Sequence, residues 1–134
     1  MMYLFDTDII TNISKKNPSK RLVQKLQKLD KSRQFISTIT IFEIVYGAFK
    51  SSRPDYHIKN LENVLLPAIN VVGFDTKASY MCGRLRAELE RAGESISLAD
   101  LQIASIAVVN DLTLITGNTK HFQRIINLEM ENWL

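Results

Sequence analysis

Cysteine is nearly absent. Cys82 is the one thiol in 134 residues, so no disulfide can form within the chain and a reducing, cytoplasmic location is expected. Proline (three) and glycine (five) are scarce as well, and neither a Gly/Ser linker nor a low-complexity tract occurs. No apolar run is long enough to cross a bilayer, because Pro67 and Asn70 interrupt the best one, from Val64 to Phe74. The opening Met1–Asp6 has no basic lead, so a secretory signal is not expected. A glycine-rich phosphate loop is missing too. His57 and His121 stand apart without zinc-ligand spacing and are expected at the surface. Cys82, with only Arg84 nearby as a cation, is expected to face the core.

What the chain has is apolar side chain. Hydrophobic residues make up 46% and charged ones 23%, with a net charge of +3, which excludes general disorder. That length and composition allow one domain, residues 1–134, with a sizeable core. Lys and Arg dominate residues 1–67, whereas acids prevail in the remainder. A basic half suits a polyanionic partner, and it equally suits a solvated lysine face on one helix.

Short apolar runs alternate with helical patterns. Met2–Phe5, Gln34–Ser37, Asn70–Phe74 and Leu112–Thr116 read as strands, and Leu128–Glu131 reads as a half-exposed strand at an edge. Between them, Asn17-Pro18 predicts a helix start with Pro in the first turn. Leu22, Leu26 and Leu29 then form a stripe. The stretch from Thr38 or Thr40 to Phe49 is apolar nearly all round and predicts a buried helix. A polar helix is expected after Pro54. Asp75 caps another helix that Gly93 ends, and Ser95 or Ser97 opens the next. Strands separated by helices predict a mainly parallel sheet of four to five strands with helices on both faces, an α/β/α sandwich.

Such a sheet places ligands at the carboxyl ends of its strands. Asp6 lies at the end of the first, and Thr116, Gly117 and Asn118 at the end of the fourth. Asp6 also fits a simple helix cap. Glu43 sits among apolar neighbours from Ile39 to Tyr46 with no cation beside it. A lone carboxylate there needs a partner, unless it closes a capping box with Thr40. Asp100 opens an equally apolar helix, where Ser97 offers the same capping alternative. If these ends meet, three carboxylates share one concavity, and a hard divalent ion such as Mg²⁺ or Mn²⁺ would neutralise them and suit phosphodiester hydrolysis. Asp8 is either a supporting acid or a residue of the first helix. Lys120, Arg124, Arg84 and Arg86 are candidate phosphate contacts, with solvated charge as the simpler reading.

The same residues carry a resemblance. Leu4-Phe5-Asp6-Thr7-Asp8, Ile36 to Gly47, Arg84 to Leu89, Leu98 to Ala104, Leu114 to Phe122 and Glu131-Asn132-Trp133 together resemble a PIN domain of the VapC toxin type over nearly the whole chain. The resemblance implies a single domain of the PIN fold and a Mg²⁺- or Mn²⁺-dependent endoribonuclease that cuts tRNA, rRNA or mRNA. It further implies a toxin–antitoxin system with a VapB-type antitoxin at the active site, and a homodimer. By motif match it assigns Asp6, Glu43 and Asp100 the acidic positions, Asp6 and Asp100 foremost as metal ligands. The place of a fourth acid is held by Asn118, with Thr116 just before it. That neutral amide motivates the alternative of a non-catalytic RNA- or protein-binding module. A phosphoacceptor domain centred on Asp75 is the remaining alternative.

Overall fold

The computed structural model describes all 134 residues. Five strands form one sheet: β1 (Tyr3–Phe5), β2 (Gln34–Ser37), β3 (Asn70–Val72), β4 (Thr113–Ile115) and β5 (Met130–Glu131). Their order is β3-β2-β1-β4-β5 and every pairing is parallel. In register, Leu4 faces Leu114 and Phe5 faces Ile115. Side chains alternate across a strand, so each strand feeds both faces. Leu4 and Leu114 join a core with Leu85, Leu101, Ile103 and Ile106, while Phe5, Ile36 and Ile115 join a second core with Ile9, Leu22 and Trp133. The three-layer sandwich expected from the sequence is therefore present, with the fifth strand at the edge.

The helices are α1 (Thr7–Ile13), α2 (Lys20–Gln27), α3 (Thr38–Lys50), α4 (Pro54–Asn60), α5 (Leu66–Ala68), α6 (Thr76–Arg91), α7 (Leu98–Val109) and α8 (Thr119–Phe122). Caps explain most boundaries. Asp75 Oδ1 accepts from the Ala78 amide at 3.0 Å, and Ser97 Oγ from the Asp100 amide at 3.3 Å. Gly93 adopts φ +73° after α6, and the Glu94 amide returns to the Leu89 carbonyl at 2.8 Å, the left-handed stop that glycine tolerates best. A wide π-turn, Leu61–Leu65, links α4 to α5. Pro67 has no N–H to give the Asn63 carbonyl, and its ring crowds that carbonyl, which accounts for the loosened turn.

Several expectations are corrected. The second helix begins at Lys20 with Ser19 as its cap; Pro18 lies before it. The third helix is capped by Ser37, whose Oγ accepts from the Thr40 amide at 3.1 Å. Thr40 is therefore inside the helix and no Thr40–Glu43 capping box exists. Nor is that helix buried: Phe42, Tyr46 and Phe49 are 63%, 56% and 69% exposed, on one face. Asp75 follows β3, the strand at one edge of the sheet, far in the strand order from the β1–β4 seam, which removes the phosphoacceptor reading. Cys82 is buried in the core as expected, and no helix is long and apolar enough to cross a membrane.

Replacing Leu114, fully buried beside the central strand, with Ala is expected to cost about 3 kcal/mol in urea unfolding. Tyr80→Ala, on a residue 80% exposed, should change stability by less than about 0.5 kcal/mol.

Candidate active site

The chain leaves β1 toward β2 and β3 on one side and returns as β4 and β5 on the other. The carboxyl ends of β1 and β4 thus flank the point where strand order reverses, the natural crevice of an open parallel sheet. Asp6 and Thr116 stand on either side of it. Asp6 is 7% exposed and Thr116 fully buried. The Asp6 carboxylate accepts from the Thr7 amide at 2.8 Å through Oδ1 and from the Thr116 hydroxyl at 2.9 Å through Oδ2. Its capping role and its place in the crevice are thus both real.

Asp8, in the first turn of α1, reaches the same corner. Its Oδ2 accepts from the Gly117 amide at 2.9 Å. A Cβ added at Gly117 would sit 2.8 Å from that oxygen and 2.8 Å from Leu134 Cδ1, closer than such atoms approach. A larger residue would have to move the Asp8 carboxylate off the Gly117 amide and displace Leu134. Asp100, in the first turn of α7, accepts or shares a hydrogen bond with His121 Nε2 at 2.9 Å through Oδ2. The first turn of a helix favours an anion, and α1 and α7 each place one there.

Electrostatics binds these acids into one site. Burial, foremost, together with the charges of Asp8 and Asp100, raises the Asp6 carboxyl to about 6 against the bonds from Thr116 and Thr7. Asp8 is raised too, first by burial and further by Asp100, against the Gly117 amide. Three carboxylates therefore feel one another, although only two of them belong to the trio expected from sequence.

Glu43 stands apart from this trio and is reached through Thr7. Thr7 Oγ1 donates to Glu43 Oε1 at 2.6 Å and lies 3.0 Å from Thr40 Oγ1, which in turn takes the Ser37 hydroxyl at 3.4 Å. Because each hydroxyl has one proton to give, the chain runs from Ser37 through Thr40 and Thr7 to Glu43. The partner that the sequence could not supply is a threonine next to Asp6. Glu43 and Thr7 also border a groove of about 450 Å³ with Thr11, Lys15 and His57.

Asn118 is exposed and its side chain makes no capping bond; its amide donates to Thr116 Oγ1 at 3.1 Å. His121 is half-buried on Asp100, not the free surface histidine expected. Arg124 pairs with Glu94 at 2.9 Å and donates to the Ser95 carbonyl at 2.8 Å. Arg84 and Arg86 pair along α6 with Glu88 and Glu90, so these arginines are engaged away from the acids.

The donor set fits a hard divalent cation: oxygen ligands, neighbouring negative charges, and two carboxyls raised chiefly by burial and further by those charges. No three Asp, Glu, His or Cys side chains stand close enough together to enclose an ion. That excludes a closed structural cage of the zinc type. Mg²⁺ commonly takes one or two carboxylates and fills its remaining positions with water, and Asp6 and Asp100 are the residues that would hold it.

The raised Asp6 carboxyl sets a pH dependence. The folded protein holds this proton more tightly than the unfolded chain does, so the stabilising contribution is full below about pH 4 and is lost as pH rises through 6. Asp6→Asn removes that loss. In EDTA the variant should exceed wild type in stability by about 2 kcal/mol at pH 7.5, and the advantage should shrink toward pH 4. Urea unfolding at the two pH values measures it.

Residues 3–127 match the PIN domain family. The chain is 37% identical to "Ribonuclease VapC2" of Rickettsia felis, covering 99% of this chain and 98% of that protein. It is 32% identical to "tRNA(fMet)-specific endonuclease VapC" of Shigella flexneri, with the same coverage. Among solved structures it resembles VapBC2 from Rickettsia felis bound to a DNA fragment from their promoter, at TM-score 0.90 and 36% identity over the whole of both chains. A parallel sheet with its acids at the β1–β4 seam and full-length kinship of this degree lead to one assignment: the chain belongs to the PIN domain family, among the VapC ribonucleases.

Proposed function

We propose that this protein is a Mg²⁺- or Mn²⁺-dependent endoribonuclease and the toxin of a type II toxin–antitoxin pair, with residues 1–134 acting as one PIN domain in the cytoplasm. The observation that carries the reading is the gathering of Asp6, Asp8 and Asp100 at the β1–β4 seam, where burial and mutual repulsion leave Asp6 with a carboxyl near 6. The relatives' names, ribonuclease and tRNA-specific endonuclease, support RNA as the substrate class.

In this reading Asp6 and Asp100 would hold the ion, Asp8 adds charge from α1, and Thr116 fixes Asp6. A bound divalent ion supplies a more acidic water and neutralises charge on the scissile phosphate. Glu43, tethered by Thr7 through one oxygen, keeps its other oxygen to orient the attacking water and take its proton. Asn118 brings an uncharged amide to the rim in place of a fourth carboxylate, which favours one ion over two. Purified protein with Mn²⁺ is expected to cut total RNA, and Asp6→Asn and Asp100→Asn to cut it at least about 100-fold more slowly. Equal cleavage by all three would place the activity elsewhere. RNA binding without Mn²⁺ binding or cleavage would support the non-catalytic module, which the neutral Asn118 motivates.

The partner is a VapB-type antitoxin. A mostly apolar groove of about 420 Å³, with Ile9, Ile13, Leu26, Tyr56, Val64 and Leu65 among its walls, lies where α1 and α2 face the π-turn. It shares Ile10, Ser14, Asn60 and Leu65 with the groove that Thr7 and Glu43 border. An apolar antitoxin helix in the first groove can therefore extend a basic side chain toward the acids. Val64, 61% exposed, is the accessible probe: Val64→Asp should abolish co-purification with the co-expressed antitoxin while RNA cleavage persists. The exposed Phe42, Tyr46 and Phe49 face of α3 suits a homodimer.

A further inference from the structure

Each of the three clustered acids is held by a donor from one six-residue segment. Thr116 gives its hydroxyl to Asp6, Gly117 its amide to Asp8, and His121 its ring nitrogen to Asp100, each at 2.9 Å. The first two donors sit where the strand end must place them. The third does not follow from the strand: it requires α8 to turn the chain back toward α7. We propose that His121 is a positioning residue of the metal site, holding Asp100 through Nε2–H so that its second oxygen faces the ion. The proposal rests on the metal-dependent reading above.

The geometry supports it in three ways. A carboxylate accepts only, so the ring nitrogen that faces Asp100, Nε2, carries a proton. The ring is restrained: its edge meets Phe122 at 5.3 Å between centroids, Phe122 is 1% exposed, and the His121 amide donates to the Asn118 carbonyl at 3.1 Å. Asp100 Oδ2 is thereby occupied while the half-exposed carboxylate keeps Oδ1 for a ligand. Outer partners of this kind orient ligating groups, and losing one typically weakens metal binding by about tenfold or more. Where Asn118 supplies no fourth charge, the angle at which Asp100 meets the ion matters more, because fewer charges hold it.

The test uses the full chain freed of antitoxin. Mn²⁺ affinity is measured by calorimetry, RNA cleavage beside it, and the imidazole nitrogens of His121 by ¹⁵N NMR without metal. His121→Ala should weaken Mn²⁺ binding about tenfold and slow cleavage, with unchanged unfolding. His121→Gln, whose amide can still donate, should recover most of the affinity. The wild-type NMR pattern should show a proton on Nε2, and Asp100→Asn should alter it. Wild-type affinity in His121→Ala, or His121→Gln no better than Ala, overturns the inference while leaving the nuclease intact. A wild-type protein that binds no Mn²⁺ and cuts no RNA overturns the metal-dependent reading, and this inference with it.

Discussion

The grip of residues 116–121 on three carboxylates is the interaction on which the rest of the site depends. Burying one unpaired carboxylate costs several kcal/mol, and bringing two more beside it adds repulsion. Hydrogen bonds to each acid offset part of that cost. They leave the remainder visible as a carboxyl near 6 on Asp6, the most buried of the three. A site so arranged is short of positive charge by construction. Its donors are a hydroxyl, an amide and an imidazole, which hold the oxygens in place.

The sheet makes that convergence unavoidable. Parallel pairing of β1 with β4 sets Phe5 against Ile115, so the next residues, Asp6 and Thr116, emerge side by side although 110 positions separate them. Both β1 and β4 lie inside the sheet, and Leu4, Leu114 and Ile115 are fully buried. The cost of the acidic seam is thus carried by the best-packed part of the molecule. Gly117 completes the arrangement by leaving room: a side chain there would displace the Asp8 carboxylate and the Leu134 side chain.

The sequence disclosed the strands, the parallel sheet and Asp6, Asp100 and Thr116, because apolar runs ending in polar residues mark strand ends directly. Glu43 stood out for want of a partner, but its partner Thr7 lies 36 positions away, and no local pattern encodes that contact. Asp8 was legible as an acid two residues after Asp6; its membership depends on the Gly117 approach, which is a matter of tertiary distance. The place of His121 is illegible for the same reason, since its carboxylate comes from another helix. The expectation of a buried α3 failed because an all-round apolar pattern distinguishes poorly between a helix covered by its own fold and one whose aromatic face is left open.

That open face changes what the isolated chain represents. Single exposed apolar residues are ordinary, whereas three aromatics at helical spacing form a contiguous patch. Phe42 and Tyr46 stack at 6.3 Å between ring centroids, and the Lys50 ammonium lies 5.2 Å from the Tyr46 centroid. Phe42 is also the neighbour in sequence of Glu43, which the Thr7 bond ties to the end of β1. The face therefore belongs to the helix that presents Glu43, held at that carboxylate by the 2.6 Å bond from Thr7. The aromatic stripe and the carboxylate share one helix, and the Thr7 bond ties that helix to the end of β1.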